Sequence, residues 1–204
     1  MTGCHPAPYL HFTKMLTEFD GNLDRYDGNP PDEPTAALWD ACNATTCFDA
    51  LDIDGMKLAL ESGANVDWQN ANECNQTLLM SLAENGKIDG VRVLVDAGAN
   101  LDYTVNRSGG TGTALALACQ NIDAGKLEII ELLISRGADV NITDECDQTA
   151  LHNAVSDKIV AAVKALLSAN IDLGAKDEEG MTALDIAVND GSDEIVDLLQ
   201  AAMG

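Results

Sequence analysis

The sequence predicts an all-α solenoid of about five helix–turn–helix repeats with an N-terminal helical cap. Two landmarks, a threonine and a glycine, alternate along most of the chain, and the threonines stand 36, 36 and 33 residues apart. Recurrence at this period is typical of stacked repeats, in which each unit buries its apolar face against its neighbours. Aromatic residues are only 4% of the 204 residues while hydrophobic residues are 46%. The core must therefore consist of Leu, Ile, Val and Ala, which favours helices over a β-sandwich.

The threonine landmark predicts the start of the first helix in each repeat. It precedes a pattern of small residues and leucine, with a weaker copy at 36–41 and clear copies that begin at Thr77, Thr113, Thr149 and Thr182. A threonine hydroxyl accepts hydrogen bonds from first-turn N–H groups, so Thr149 and Thr182 are predicted helix N-caps. Asp185 lies three residues after Thr182, close to a capping-box arrangement.

The glycine landmark predicts the end of the second helix. It occurs in "LALESGANVD", "VLVDAGANLD" and "LLISRGADVN", at Gly63, Gly98 and Gly137. Asn170 takes its place in the fourth repeat, and Met203 takes it in the last. Because Gly and Asn tolerate the left-handed conformation that closes a helix, we expect the second helix of repeat four to run from about 159 to 168 and to end at Asn170.

The two landmarks together resemble the ankyrin repeat, whose pattern includes T-P-L-H-x-A and G-A-D-V-N. The resemblance covers roughly residues 34–204, and "TALHNA" at 149–154 is its best match, although Ala or Leu replaces the proline in every copy and only His152 keeps the histidine. The resemblance implies a protein-binding role, with contacts from loop tips and from the exposed face of the first helix. The approximate repeats are 34–69, 70–104, 105–142, 143–175 and 176–204.

Residues 1–33 depart from the pattern and are predicted to be an N-terminal extension. Tyr9, Phe12, Leu16 and Phe19 have the spacing of a short amphipathic helix, and three prolines within 27–34 indicate a linker. We expect this helix to cover the open end of the stack; the alternative is an arm that binds a partner. Insertions at 43–55, 104–113 and 121–125 either contribute to binding or are tolerated loop variation.

Charge and hydropathy narrow the classes of partner. The net charge is −23, from 34 acidic and 11 basic residues, and such a chain is repelled by nucleic acid and by anionic membranes. We expect a protein partner that is basic where it docks; the alternative is that the acids only maintain solubility. No apolar segment reaches the ~18 residues of a membrane span, and no signal peptide is visible, so a cytoplasmic location is predicted.

Cysteines and histidines give no pattern for catalysis or for a metal. Cys42 and Cys119 occupy one repeat position and are expected in the core. Cys74 and Cys146 lie two repeats apart, too far to bridge, which predicts free thiols. His152 is expected to bond locally. We therefore predict no enzyme, no cofactor and no metal. Two alternatives remain: an active site among acids of the first 55 residues, and modification of Asn141 by an asparaginyl hydroxylase.

The candidate partner-binding residues fall into two groups. Trp68, Tyr103 and Ile142 stand five residues after the glycine landmark and are expected to form an apolar stripe, either as a binding surface or packed under the inserted loops. The second group comprises residues of the loop tips and of the first-helix face: Trp39, Thr143, Glu145, Gln148, Asp157, Glu178, Glu179 and Asp190.

These features predict a non-enzymatic binding protein. The net charge of −23 favours an inhibitor or immunity-type protein that docks on a basic partner, with association accelerated by charge. The alternative is a cytosolic adaptor that joins proteins through the apolar stripe.

Overall fold

The chain forms ten helices and one short β-hairpin within the part of it that the structure describes. A computed structural model describes residues 31–43, 51–70, 76–104, 112–120 and 124–204. The hairpin pairs β1 (Gln69–Asn70) with β2 (Gln76–Thr77) in antiparallel register. The helices are α1 (Glu33–Asn43), α2 (Ile53–Glu61), α3 (Leu78–Glu84), α4 (Ile88–Asp96), α5 (Ala114–Ala118), α6 (Ala124–Ser135), α7 (Ala150–Ser156), α8 (Val160–Leu167), α9 (Ala183–Asn189) and α10 (Asp193–Met203).

The helices stack as five consecutive pairs, which we number repeats one to five. The first helices α3, α5, α7 and α9 contact each other in one layer, and the second helices α2, α4, α6, α8 and α10 contact each other in another. Both layers enclose one continuous core of Leu, Ile, Val and Ala side chains. The predicted all-α solenoid is confirmed. The amphipathic helix predicted between Tyr9 and Phe19, and most of each predicted insertion, lie outside the described residues.

Threonine side chains begin the first helices, as predicted. The hydroxyls of Thr77, Thr113 and Thr182 accept from the backbone N–H three residues further on, at 3.4, 3.3 and 3.2 Å. Asp185 completes the predicted capping box because its Oδ2 accepts from the Thr182 N–H at 2.9 Å. The hydrogen bonds from the backbone and hydroxyl of Thr182 lower the pKa of Asp185. In repeat one, α1 begins at Glu33, before its threonine.

Glycines close three of the second helices in the left-handed conformation, as predicted. Gly63, Gly98 and Gly137 have φ values of +95°, +85° and +90°. The expectation for Asn170 is wrong, because this residue does not have a positive φ. The chain leaves α8 earlier: the Ala169 N–H donates to the Leu166 carbonyl at 3.0 Å, and the Ile171 N–H donates to the Ala169 carbonyl at 2.9 Å. Consecutive turns thus replace the left-handed residue.

A ladder of side-chain hydrogen bonds connects the loops that follow the second helices. Asp67 Oδ1 accepts from the Asn100 N–H at 2.8 Å, Asp102 Oδ1 accepts from the Asp139 N–H at 2.8 Å, and Asn141 Oδ1 accepts from the Asp172 N–H at 2.7 Å. Each contact joins one repeat to the next. The ladder stops at residue 174, where a glycine has no side chain to continue it. The acidic or amide residue that ends each "GADVN"-type segment therefore has a structural role.

The buried cysteines belong to the core, as predicted. Cys42 and Cys119 are inaccessible to solvent, and burial raises the pKa of each thiol to about 12. At neutral pH both are therefore protonated and behave as small apolar groups. Cys146 is also a free thiol, while Cys74 lies outside the described residues.

Lys158 is expected to destabilise the turn after α7 because its backbone is left-handed. Its φ is +58°, whereas glycines occupy the same repeat position with φ of +69° at Gly86 and +65° at Gly191. A Cβ atom raises the energy of this conformation by about 1 kcal/mol. Lys158→Gly should therefore raise the free energy of unfolding by about 1 kcal/mol, measured by chemical denaturation. Lys158→Ala is the control, because alanine keeps the Cβ. An equal gain in both variants would assign the effect to the lysine side chain instead.

Candidate functional site

The loops before α7 and α9 form two similar turns, which we call the fingers of repeats four and five. In the first finger, Asp144 Oδ1 accepts from the N–H groups of Cys146 and Gln148, both at 2.9 Å. In the second, Asp177 Oδ1 accepts from the N–H groups of Glu179 and Met181, at 3.0 and 2.9 Å. A backbone hydrogen bond of 3.0 Å from the Glu178 N–H to the Cys146 carbonyl joins the two fingers. Asp144 and Asp177 thus hold the turns, and the side chains beside them remain available for contact.

Exposed acidic side chains extend from these fingers to the ends of the first helices. Glu145, Glu178 and Glu179 are exposed at the finger tips, and Asp157 and Asp190 are exposed at the C-caps of α7 and α9. We call these five residues the acidic group. An acid at a helix C-terminus opposes the helix dipole, so helix stability does not explain Asp157 or Asp190. The fingers and first helices of repeats four and five, residues 144–158 and 176–190, carry nine acidic residues and two lysines.

Several basic side chains pair with acids within the layer of the second helices. Ion pairs join Arg92 to Glu128 at 3.9 Å, Arg136 to Asp96 at 2.7 Å, and Lys164 to Glu194 at 3.2 Å. All six side chains lie on the second helices or at their ends, and all are substantially exposed, so each pair contributes little to stability. The consequence is electrostatic: these bases offset acids of the second helices and not the acidic group.

The predicted apolar stripe of Trp68, Tyr103 and Ile142 is half-buried, whereas Trp39 lies in the core. Trp39 is only 2% exposed, and its ring packs edge-to-face on Trp68, with centroids 5.7 Å apart and an interplanar angle of 82°. The expectation that Trp39 lies on the exposed helix face is therefore wrong. Trp68 and Tyr103 are half-buried against the core, and Ile142 is half-buried as well. Thr143 is exposed beside Ile142.

A polar pocket of about 280 Å³ lies where repeat three meets repeat four. It is lined by Gln120, Gln148, Asn153, Ser156 and Asp157. The structure thus brings together two of the predicted residues, Gln148 and Asp157. Asn153 is only 8% exposed, and its Nδ2 is buried without a hydrogen-bond partner. An unpaired buried amide donor typically costs about 1–3 kcal/mol.

A family model described as ankyrin repeats in three copies matches residues 38–144 and, again, residues 122–203. The chain belongs to the ankyrin-repeat family. No curated protein matches its sequence. The ankyrin-repeat family is generally non-enzymatic, and the repeats indicate that this chain carries a module for protein–protein interaction.

His152 holds the start of the best-matching ankyrin repeat, as predicted. Its Nδ1 accepts from the Thr149 N–H at 3.1 Å and lies 2.9 Å from the Thr149 hydroxyl. The ring is buried, and its Nε2 has no hydrogen-bond partner. This histidine therefore has a local structural role in the repeat.

Neither a metal nor a reactive thiol is indicated in the described ankyrin repeats. No group of three or more His, Cys, Asp or Glu side chains is arranged as metal ligands in the described ranges. Burial and the carboxylates of Glu178, Asp144 and Glu145 raise the pKa of Cys146, so the thiol is protonated at neutral pH. Among the described helices, none combines the length and apolar character that crossing a bilayer requires.

Asn153 is the residue of this ankyrin domain that sequence reasoning missed. It stands four residues after the threonine landmark, where repeats two, three and five have Ser81, Leu117 and Ile186, all buried. A single amide among mostly apolar residues at one repeat position was the available signal. The amide can be interpreted only once this repeat position is known to be buried, and the helical spacing of the sequence does not show that.

Proposed function

We propose that this ankyrin-repeat protein is a non-enzymatic inhibitor or immunity-type protein that docks on a basic partner protein. The acidic group of repeats four and five is the observation that carries the proposal. Its members are exposed, and two of them lie where acids oppose the helix dipole. A surface of one sign attracts a partner of the opposite sign and accelerates association, an effect that salt weakens.

The experiment is capture from lysate of the source organism by the immobilised full chain, followed by washes at low and high salt. The test variant combines Glu145→Gln, Glu178→Gln and Asp190→Asn. The matched control combines Asp89→Asn, Glu131→Gln and Asp197→Asn, which remove the same charge from exposed positions of the second helices. The proposal predicts that one basic protein binds the wild type and the control and leaves at high salt.

Removal of three docking charges should weaken this binding about tenfold, since each exposed charge pair contributes up to about 1 kcal/mol. The activity of the captured protein should also fall when the wild-type chain is added. Equal capture by the test variant and the wild type would refute docking through the acidic group. Salt-independent capture would instead favour the adaptor function, and Trp68, Tyr103 and Ile142 would then be the residues to substitute.

A further inference from the structure

Repeat five leaves open a surface that the following repeat covers elsewhere in the stack. Leu184 and Val188 stand two and six residues after the threonine landmark, on one face of α9. The residues at these two positions in repeats two to four are at most 1% exposed: Leu79, Ala83, Leu115, Cys119, Leu151 and Val155. In repeat five, Leu184 is half-buried and Val188 is 57% exposed. This face of α9 is therefore both apolar and open to solvent.

The second helix of repeat five contributes to the same surface. Val196 is half-buried, whereas the residues at its position in repeats two to four are fully buried: Val91, Ile130 and Val163. Met203 stands seven residues after Val196, so it lies on the same side of α10, and it is 58% exposed. The two helices of the repeat contact each other. We call the four apolar residues of this surface the end face: Leu184, Val188, Val196 and Met203.

Polar substitutions adapt the end of the stack to water only in part. A terminal repeat needs a polar outer face to remain soluble. Asp185 stands where His152 is buried in repeat four, and Gln200 stands where repeat four has Leu167. The carboxylate of Asp185 accepts from Thr182 and so caps α9. The four apolar side chains of the end face remain beside these polar residues, so solubility alone does not explain the composition of this surface.

We propose that the end face binds an amphipathic α-helix of the protein partner, with an apolar stripe and basic flanks. The inference rests on the proposed function, because Asp190 of the acidic group ends α9 and adjoins the end face. Helices cover the equivalent positions inside the stack: α5 contacts α3, α7 contacts α5, and α9 contacts α7. A helix of the partner therefore suits the shape of this surface, and its apolar stripe would remove the end face from water.

Charge complementarity favours a basic helix over the other occupants. Residues 176–204 carry eight acidic residues and one lysine, a net charge of −7. Asp190 and Asp193 are exposed at the end of α9 and the start of α10. Lysine or arginine beside an apolar stripe is attracted to this field, whereas a second copy of the chain would bring two surfaces of net charge −7 together. Residues 1–30 carry four acids and two bases, so the N-terminal extension also lacks the complementary charge.

The test is an NMR titration of the ¹⁵N- and methyl-labelled full chain with three peptides of about 14 residues, or about four helical turns. The first peptide places leucine and lysine in the period of an amphipathic helix. The second has the same composition in strict alternation, and the third replaces every lysine of the first with glutamate. The variant is Val188→Gln. The matched control is Leu58→Gln, which removes an apolar side chain that is 65% exposed on α2.

We expect the first peptide to cause saturable shifts of the Leu184, Val188 and Val196 methyl signals. Val188→Gln should weaken this binding about fivefold or more, because an apolar contact is lost, and Leu58→Gln should leave it unchanged. Both residues are exposed, so neither substitution should unfold the chain. Equal binding of the alternating or the glutamate peptide, no saturable shift with the first peptide, or unchanged binding by Val188→Gln would each overturn the proposal.

Further measurements separate the other occupants and the docking proposal. Self-association in sedimentation of the chain alone, abolished by Val188→Gln, would assign the end face to a second copy and overturn the proposal. A shift of the Val188 methyl signals caused by Leu16→Gln would assign it to the N-terminal extension instead. If hexalysine shifts the amide signals of Glu145 and Glu178 while the helical peptide leaves the end face unchanged, this inference fails and the docking proposal stands. Binding of the helical peptide without any effect of hexalysine would support the end face and contradict docking through the acidic group.

Discussion

Leu115→Ala is expected to lower the free energy of unfolding by about 3 kcal/mol, the largest effect of any substitution considered for this chain. Leu115 is 1% exposed in α5, the first helix of the central repeat. That helix contacts α3, α6 and α7, so the cavity would weaken the interfaces on both sides of repeat three. Because each repeat is stabilised by its neighbours, a weakened central interface affects the whole stack. Guanidinium denaturation followed by circular dichroism measures the loss.

Leu184→Ala is the matched control for Leu115→Ala. Leu184 occupies the same position, two residues after the threonine landmark, but it is half-buried and lies in the last repeat. The expected loss is about 1 kcal/mol, because less apolar surface leaves water there and only one neighbouring repeat is affected. Hydrogen exchange should show faster opening of α3, α5 and α7 in Leu115→Ala and of α9 alone in Leu184→Ala. A larger loss for Leu184→Ala would contradict the central role of repeat three.

The fold was predictable because the residues that begin and end its helices act through local interactions. A threonine cap and a glycine with positive φ act within one helical turn, so Thr113 and Gly137 could be interpreted from their immediate neighbours. The turn after α8 shows the limit of this reasoning, because consecutive backbone hydrogen bonds at Ala169 and Ile171 replaced the left-handed residue expected at Asn170. The ladder of hydrogen bonds from Asp67 to Asp172 could not be predicted from the sequence either, since the donor and acceptor of each bond lie about one repeat apart.

The candidate site was predictable only where exposure follows directly from a turn. Glu145 and Glu178 lie at finger tips, and a finger must present its tip to solvent. Trp39 was misplaced because its distance from the threonine landmark was taken to indicate the exposed helix face. Met80, which holds the same position in repeat two, is buried as well. Packing between neighbouring repeats determines which positions are buried. The spacing of apolar residues within one helix does not show which of its faces the next repeat covers.

Asn153→Leu is expected to raise the free energy of unfolding by about 1–2 kcal/mol, although it removes a hydrogen-bonding group from a buried position. The wild-type amide leaves Nδ2 without a partner, and leucine already occupies the equivalent position at Leu117. Chemical denaturation measures the change. A residue that stabilises its repeat would give the opposite sign, so a loss would show that the Asn153 amide contributes to the packing of repeat four.

Ser81→Leu at the same repeat position is expected to act in the opposite direction. Ser81 is buried and donates to Gln76, so leucine would leave the Gln76 Oε1 without this donor and would crowd a closed network. We expect a loss of about 1–3 kcal/mol. Opposite signs for one substitution at equivalent positions would separate a hydrogen bond that stabilises repeat two from a buried amide that destabilises repeat four. If both variants lose stability, Asn153 is a structural residue of repeat four, as Ser81 is of repeat two.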